Sequence, residues 1–153
     1  MQQETNSTIA EIQISYHPNI IGEASVTTAA EAFKYFINSY SADTISLQET
    51  VKVMYLNRAN KVLGIYEASK GGITGTVVDI RLLMGVAVKS AATSMILCHN
   101  HPSGSLKPST QDISLTTEIL EAGKLLNISL LDHLIISRDN IYRSMAESGD
   151  LVF

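Results

Sequence analysis

Two histidines separated by one residue are the part of the sequence best suited to chemistry. His99 and His101 end an almost wholly apolar segment that begins at Ser94. In an extended segment alternate side chains point the same way, so both imidazoles project to one side, while Cys98 and Asn100 project to the other. Two imidazoles about 6–7 Å apart along a strand can converge on one metal ion. The spacing therefore predicts a metal site at the end of a buried strand.

Asp112 supplies a third ligand of a suitable type. It follows His101 by 11 residues, and a helix predicted to begin at Ser109 places it in the first helical turn, close to the end of the strand. A site with two histidines and one carboxylate leaves a fourth tetrahedral position for water, which is typical of catalytic zinc. Such a zinc lowers the pKa of its water to about 7 and polarises a carbonyl. A general base beside the water is then needed.

Each of these residues also has a structural explanation. Residues 109–112 read Ser-Thr-Gln-Asp, which is a capping box at the start of a helix. Asp132 and His133 lie inside a β-forming run, and we interpret them as a structural hydrogen-bonded pair rather than a second metal site. Cys98 faces away from the histidines, which predicts a core position.

The elements that must position these residues follow from hydrophobic periodicity and capping signals. The patterns predict helices at 28–40, 79–92 and 109–126, and strands at 9–16, 51–55, 62–66, 94–99, 128–136 and 140–144. The strands and helices mix without βαβ regularity. We therefore expect an α/β (α+β) fold in which one mixed sheet is flanked by helices.

Composition limits the class of protein. The 153 residues are 45% hydrophobic and 17% charged, which predicts a single domain over 1–153, with residues 1–7 disordered. The formal net charge of −4 argues against nucleic-acid binding by bulk electrostatics. A single cysteine rules out both an intrachain disulfide and a multi-cysteine zinc cage. No apolar run reaches the roughly 18 residues of a membrane span, so we expect a cytoplasmic protein without membrane contact.

These residues resemble those of the JAMM (JAB/MPN+) metalloproteins, and within them the RadC branch. The segment His99–Gly104, followed by Ser109 and Asp112 at the family's spacing, carries the resemblance. Two later segments, Asp132–Ile136 and Tyr142–Ser144, also resemble that branch. The motif is long and specific, so a chance match is not expected.

The resemblance implies a fold, a cofactor and an activity. The fold is a mixed sheet flanked by helices, similar to the cytidine-deaminase layout. His99, His101 and Asp112 would hold Zn²⁺, Glu49 would be the general base, and Ser109 would hydrogen-bond the developing oxyanion. The implied activity is that of a zinc metallopeptidase or isopeptidase, in which zinc-activated water attacks an amide carbonyl. Spacing alone does not single out Glu49 among the glutamates of the chain.

The resemblance also implies an alternative, a DNA-binding module associated with DNA repair. Relatives in the RadC branch often carry an N-terminal helix-hairpin-helix region, whereas only about 40 residues precede the similar region here, so the chain reads as a short form. The 11 Lys and Arg residues are scattered, and Lys89, Lys107 and Lys124 form at most a modest patch. A peptide or isopeptide substrate is therefore the expected partner, DNA is weakly supported, and exposed strand edges leave a homodimer open.

Overall fold

The computed structural model describes residues 10, 12–17, 24–71 and 77–153. Within these residues three helices flank one mixed sheet of five strands. In chain order the elements are α1 (Ala29–Ser39), β1 (Thr50–Leu56), β2 (Val62–Lys70), α2 (Ile80–Lys89), β3 (Ser94–Asn100), α3 (Thr110–Leu126), β4 (Ser129–Ile136) and β5 (Tyr142–Ser144). The predicted α/β (α+β) class with one mixed sheet is confirmed. The predicted disorder of residues 1–7 lies outside the described residues.

The sheet places β3 at its centre. The strand order is β2-β1-β3-β4-β5, with β3 and β4 parallel and the other neighbours antiparallel. Helix α3 makes the connection that two adjacent parallel strands need. Every residue of β3 is buried, as its continuous apolar sequence predicts for a strand covered on both faces.

The two faces of the sheet have separate cores. Helices α2 and α3 pack over Val53 and Leu97 on one face, and α1 packs over Met54 and Cys98 on the other. Cys98 is fully buried, which confirms the predicted core position. Because side chains alternate along β3, the helices α2 and α3 lie on the same side as the two site histidines.

The helices begin at the predicted caps. The Thr28 side chain accepts a hydrogen bond from the Glu31 amide in a complete capping box. The Asp79 side chain caps α2 by accepting a hydrogen bond from the Arg81 amide. The expected end of α2 is wrong, because Ala91 takes a left-handed conformation (φ 56°) just after the helix. Helix α2 presents Leu83, Met84 and Ala87 to the core, whereas Leu82 is 60% exposed.

The predicted first strand is wrong where the structure describes it. Residues 12–17 take no regular secondary structure, and Ile12 and Ile14 are 88% and 77% exposed. The Tyr16 hydroxyl of this segment donates a hydrogen bond to the Leu63 carbonyl of β2 (3.1 Å). Alternating apolar residues predict a strand only if a neighbour pairs with their backbone, and these residues are not paired.

Gly123 lets α3 approach the start of β4 closely. A Cβ at this position would lie 2.3 Å from the carbonyl oxygen of Ile128, whereas a Cβ at Gly85 on α2 would meet nothing within 4 Å. We expect Gly123→Ala to lower the free energy of unfolding by about 1–3 kcal/mol. Gly85→Ala is the matched control and should raise it by about 0.5–1 kcal/mol, because alanine favours a helix. Urea unfolding monitored by circular dichroism measures both, and equal effects would contradict the packing argument.

Candidate metal centre

His99 is a buried imidazole on the central strand. Its side chain is 1% exposed, and each ring nitrogen faces another histidine. Nδ1 lies 2.7 Å from Nε2 of His133 on β4, and Nε2 lies 2.8 Å from Nε2 of His101. The parallel pairing of β3 with β4 sets His133 beside Leu97, which accounts for the first contact. The strand register therefore determines what surrounds His99.

His101 is the first residue beyond β3, and its ring is held by the turn that follows. Its backbone amide donates to the Ile136 carbonyl, and its own carbonyl accepts from Gly104, which takes a φ of 86° that suits glycine. The ring Nδ1 lies 2.7 Å from the Ser105 carbonyl oxygen. A carbonyl can only accept, so Nδ1 carries the hydrogen, and in the neutral ring the lone pair is on Nε2.

Asp112 lies at the third position of α3 and serves two purposes. Its carboxylate accepts a hydrogen bond from the Ser109 amide (2.6 Å), while the Ser109 hydroxyl accepts from the Asp112 amide (3.1 Å). The same carboxylate faces the histidines, with Oδ1 3.3 Å from His99 Nε2 and Oδ2 3.3 Å from His101 Nε2. The capping box and the predicted ligand are thus one arrangement rather than alternatives.

A buried hydrogen-bond chain continues from His99. Nδ1 of His133 lies 2.6 Å from the Thr116 hydroxyl oxygen, and that hydroxyl donates to the Asp112 carbonyl (2.5 Å). The interpretation of Asp132 and His133 as a structural hydrogen-bonded pair is confirmed, because the His133 backbone amide donates to the Asp132 carboxylate (2.7 Å). The same carboxylate also accepts from Ser144 Oγ (2.5 Å). The two side chains leave β4 on opposite faces, as adjacent strand residues must.

Three electron pairs converge in this site. His99, His101 and Asp112 each present one ligand atom, and all three atoms lie within 4.8 Å of one another. Tetrahedral zinc with bonds of about 2.0–2.1 Å needs ligand atoms about 3.3 Å apart. Each imidazole has one oxygen of the Asp112 carboxylate at that distance, Oδ1 from His99 Nε2 and Oδ2 from His101 Nε2. The distance between the two imidazole Nε2 atoms is 2.8 Å, and it would need to widen by roughly 0.5 Å. The group could therefore hold a metal ion.

The pKa shifts follow from this crowding. The hydrogen bond with Asp112 raises the pKa of His101 above the ordinary 6.5, although burial opposes it, and the charge of Glu49 adds to the rise. Burial would raise the pKa of Asp112, but its contacts with the His101 and His99 imidazoles and the hydrogen bond from the Ser109 amide outweigh burial and hold that pKa well below its usual range. Burial lowers the pKa of His133 well below 6.5. The carboxylate is therefore ionised and His133 is neutral near pH 7.

Glu49 immediately precedes β1, on the histidine side of the sheet. Val51 pairs with His99 in the antiparallel register of β1 and β3, so two residues further out Glu49 falls opposite His101. The side chain is half-buried, and its charge acts on the pKa of His101. The structure thus places Glu49 on the same face of the sheet as His101, close enough for its charge to act on that ring. Its role as a base stays a prediction.

Asn100 holds the backbone on both sides of Glu49. Its side-chain amide donates to the carbonyls of Ile45 and Gln48, both at 2.7 Å, and its side-chain oxygen accepts from the Thr50 amide at 2.7 Å. Asn100 is fully buried and lies between the two site histidines in sequence. Sequence reasoning assigned it only a direction, away from the histidines, and missed this contact.

Ser109 lies at the edge of the site and is exposed. Its oxygen accepts from the Asp112 amide (3.1 Å), and no described residue accepts its hydroxyl hydrogen. A hydroxyl has one donor and two acceptor sites, so the hydrogen can donate outward. This fits the predicted contact with an oxyanion, which stays a prediction.

The fold and the site define an α+β protein with a buried His-His-Asp group that could bind a metal ion. The chain matches the model of the RadC-like JAB domain family over residues 26–150, and it belongs to that family. The resemblance drawn from the sequence is thereby confirmed.

Curated relatives agree with this assignment. A protein named UPF0758 protein from Flavobacterium johnsoniae is 47% identical over 95 residues, 62% of this chain and 42% of the relative. A protein of the same name from Porphyromonas gingivalis is 45% identical over 102 residues, 67% of this chain and 45% of the relative. The chain thus spans less than half the length of these relatives. In the described residues, no helix has the length and hydropathy that crossing a membrane requires.

Removal of a ligand should abolish metal binding. We expect the wild-type protein to contain about one zinc per chain, and His99→Ala and His101→Ala to contain little. His17→Ala is the control, because His17 is exposed and lies outside the group. Elemental mass spectrometry of the purified proteins measures zinc content, with circular dichroism to check folding. Full zinc content in a folded His99→Ala protein would show that the ligands are wrongly assigned.

Stability of the metal-free protein should depend on pH in a definite direction. The raised pKa of His101 means that its ion pair with Asp112 stabilises the fold fully below pH 6.5, and that this contribution is lost as pH rises through the raised value. Zinc instead requires neutral His101. The difference in Tm between zinc-loaded and chelator-treated protein should therefore decrease as the pH is lowered from about 8 to about 6. This decrease should begin above pH 6.5, because the pKa of His101 is raised above that value. A difference independent of pH would contradict this coupling.

Proposed function

We propose that the chain is a zinc-dependent hydrolase that cleaves amide or isopeptide bonds in peptide substrates. One observation carries the proposal: two imidazoles and a carboxylate converge, and the charge of a nearby glutamate, Glu49, acts on one of the imidazoles. Membership of the RadC-like JAB domain family supports a hydrolase.

The donor set fits zinc and leaves room for chemistry. His99, His101 and Asp112 would hold the ion, because their ligand atoms face one another within 4.8 Å. When bound in such a site, zinc lowers the pKa of a water molecule and polarises a carbonyl. Three protein ligands rather than four are typical of catalytic zinc sites.

The chain's own groups would handle the proton and the charge. The Glu49 carboxylate would take a proton from the attacking water and pass it to the leaving amine. The Ser109 hydroxyl would donate to the carbonyl oxygen as negative charge develops there, while the Asp112 amide keeps that hydroxyl in place. Asn100 would fix the backbone on either side of Glu49, so that the carboxylate meets the site at a constant position.

The glutamate can be tested separately from the metal. Glu49→Gln should retain zinc and lower turnover by about 100-fold or more, because the amide cannot accept the proton. The assay incubates zinc-loaded protein with a library of linear and lysine-branched peptides and follows new amino termini by mass spectrometry. Glu67→Gln is the matched control, since Glu67 is an exposed residue of β2 outside the metal-binding group.

Two results obtained with zinc-loaded protein would count against the proposed function. One is full turnover in Glu49→Gln, which would show that Glu49 is not the general base. The other is a wild-type protein that binds zinc at one equivalent yet cleaves neither linear nor branched peptides, which would remove the peptide substrate. A wild-type protein that takes up no zinc would end the proposal altogether.

The DNA-binding alternative gains little from the fold. Lys89 and Lys124 lie in the last turns of α2 and α3, where a cation is favoured by the helix dipole. Their positions therefore have a structural explanation that needs no phosphate. We keep the peptide hydrolase as the proposal.

A further inference from the structure

A series of three hydrogen bonds joins four residues on three elements behind the metal site. His99 contacts His133, His133 contacts Thr116, and Thr116 donates to the carbonyl of Asp112. The Asp112 carboxylate then faces His99 again at 3.3 Å. His99, His133 and Thr116 are each exposed by 1% or less, so water cannot exchange with these contacts.

The Asp112 carbonyl, the last acceptor in this series, sets the direction of each hydrogen bond. The Asp112 carbonyl can only accept, so the Thr116 hydroxyl spends its one hydrogen there. The Thr116 oxygen must then accept from His133, which places the hydrogen of His133 on Nδ1. His133 Nε2 therefore has a free electron pair, and it can only accept from His99 Nδ1. This leaves His99 Nε2 without a hydrogen, facing the site.

We propose that His133 is a positioning residue that, together with Thr116, holds His99 in the Nδ1–H form, with the Nε2 electron pair directed at the metal. The proposal deepens the proposed function, because it needs His99 to be a metal ligand. It assigns no catalytic step to His133, which has both ring nitrogens engaged with protein groups.

The opposite direction of these hydrogen bonds would prevent metal binding. If His133 carried its hydrogen on Nε2, it would donate to His99 Nδ1, and His99 would carry a hydrogen on Nε2. That hydrogen would point at the Asp112 carboxylate 3.3 Å away, so the two ligands would satisfy each other and exclude a cation. Reversal would also turn the Thr116 hydroxyl away from the Asp112 carbonyl. The observed contact between Thr116 and the Asp112 carbonyl therefore favours the form in which His133 carries its hydrogen on Nδ1 and His99 Nε2 is free to bind a metal.

The first experiment reads the hydrogen positions directly. Long-range ¹⁵N–¹H spectra of metal-free protein labelled with ¹⁵N-histidine distinguish the two forms of each neutral ring. We expect His133 to appear as the Nδ1–H form before metal is added, and to remain so when zinc is present. A His133 ring with its hydrogen on Nε2 in the metal-free protein would overturn the proposal.

The second experiment uses a matched pair of variants at Thr116. Thr116→Val keeps the volume of the side chain but removes the acceptor for His133, whereas Thr116→Ser keeps the hydroxyl and loses a methyl group. Zinc affinity is measured by competition with a chromophoric chelator at constant pH. We expect Thr116→Val to lose about 10- to 100-fold in zinc affinity, which is typical when a group that orients a metal ligand is removed, and Thr116→Ser to stay close to wild type.

A purely structural role gives a different pattern. Both Thr116 variants would then lower thermal stability and leave zinc affinity equal, and that result would overturn the proposal. Failure of the proposed function is recognised separately, because wild-type protein would then bind no zinc while the spectrum of metal-free protein still shows where His133 carries its hydrogen. His133→Gln adds a check: its side-chain oxygen can accept from His99, so it should retain more affinity than His133→Phe.

Discussion

The site depends on the burial of one imidazole at the end of the central strand. A buried polar group without a partner costs about 1–3 kcal/mol, so both nitrogens of His99 must be engaged. One faces His133, which the neighbouring parallel strand provides, and the other faces the ligand group. Since water is excluded, the surrounding protein alone decides which nitrogen carries the hydrogen. The chemistry of the site therefore begins with the packing of β3 between β1 and β4.

Alternation along β3 divides the work between the two faces of the sheet. His99 and His101 face the metal-binding group, and Asn100 between them faces the backbone beside Glu49. One short segment thus sets the ligands and, through the other face, the position of the candidate base. A one-residue slip in the pairing of β3 would reverse both faces at once, so the register of the sheet is a functional constraint.

Sequence reasoning reached the parts of this site that depend on local spacing. The pair of histidines, the central apolar strand and the capping box of α3 are all written within 19 residues, from Ser94 to Asp112. The contacts of His133 and Asn100 join residues 34 and 52 positions away, and periodicity carries no information about such pairs. The strand over residues 9–16 was predicted wrongly for the same reason. Alternating apolar and polar residues suit a half-buried strand, but they do not show whether another strand is present to pair with it.

The first turn of α3 holds the Asp112 carboxylate in position near the two histidines before a metal binds. The capping bond from the Ser109 amide and the Thr116 hydroxyl at the Asp112 carbonyl fix this residue at both its side chain and its backbone. The carboxylate also lies at the positive end of the helix dipole, which keeps it ionised. Its position is then set by the helix rather than by the ligand, so little ordering is left to be done when a cation binds. Preorganisation of this kind favours binding because the cost of ordering has been met during folding.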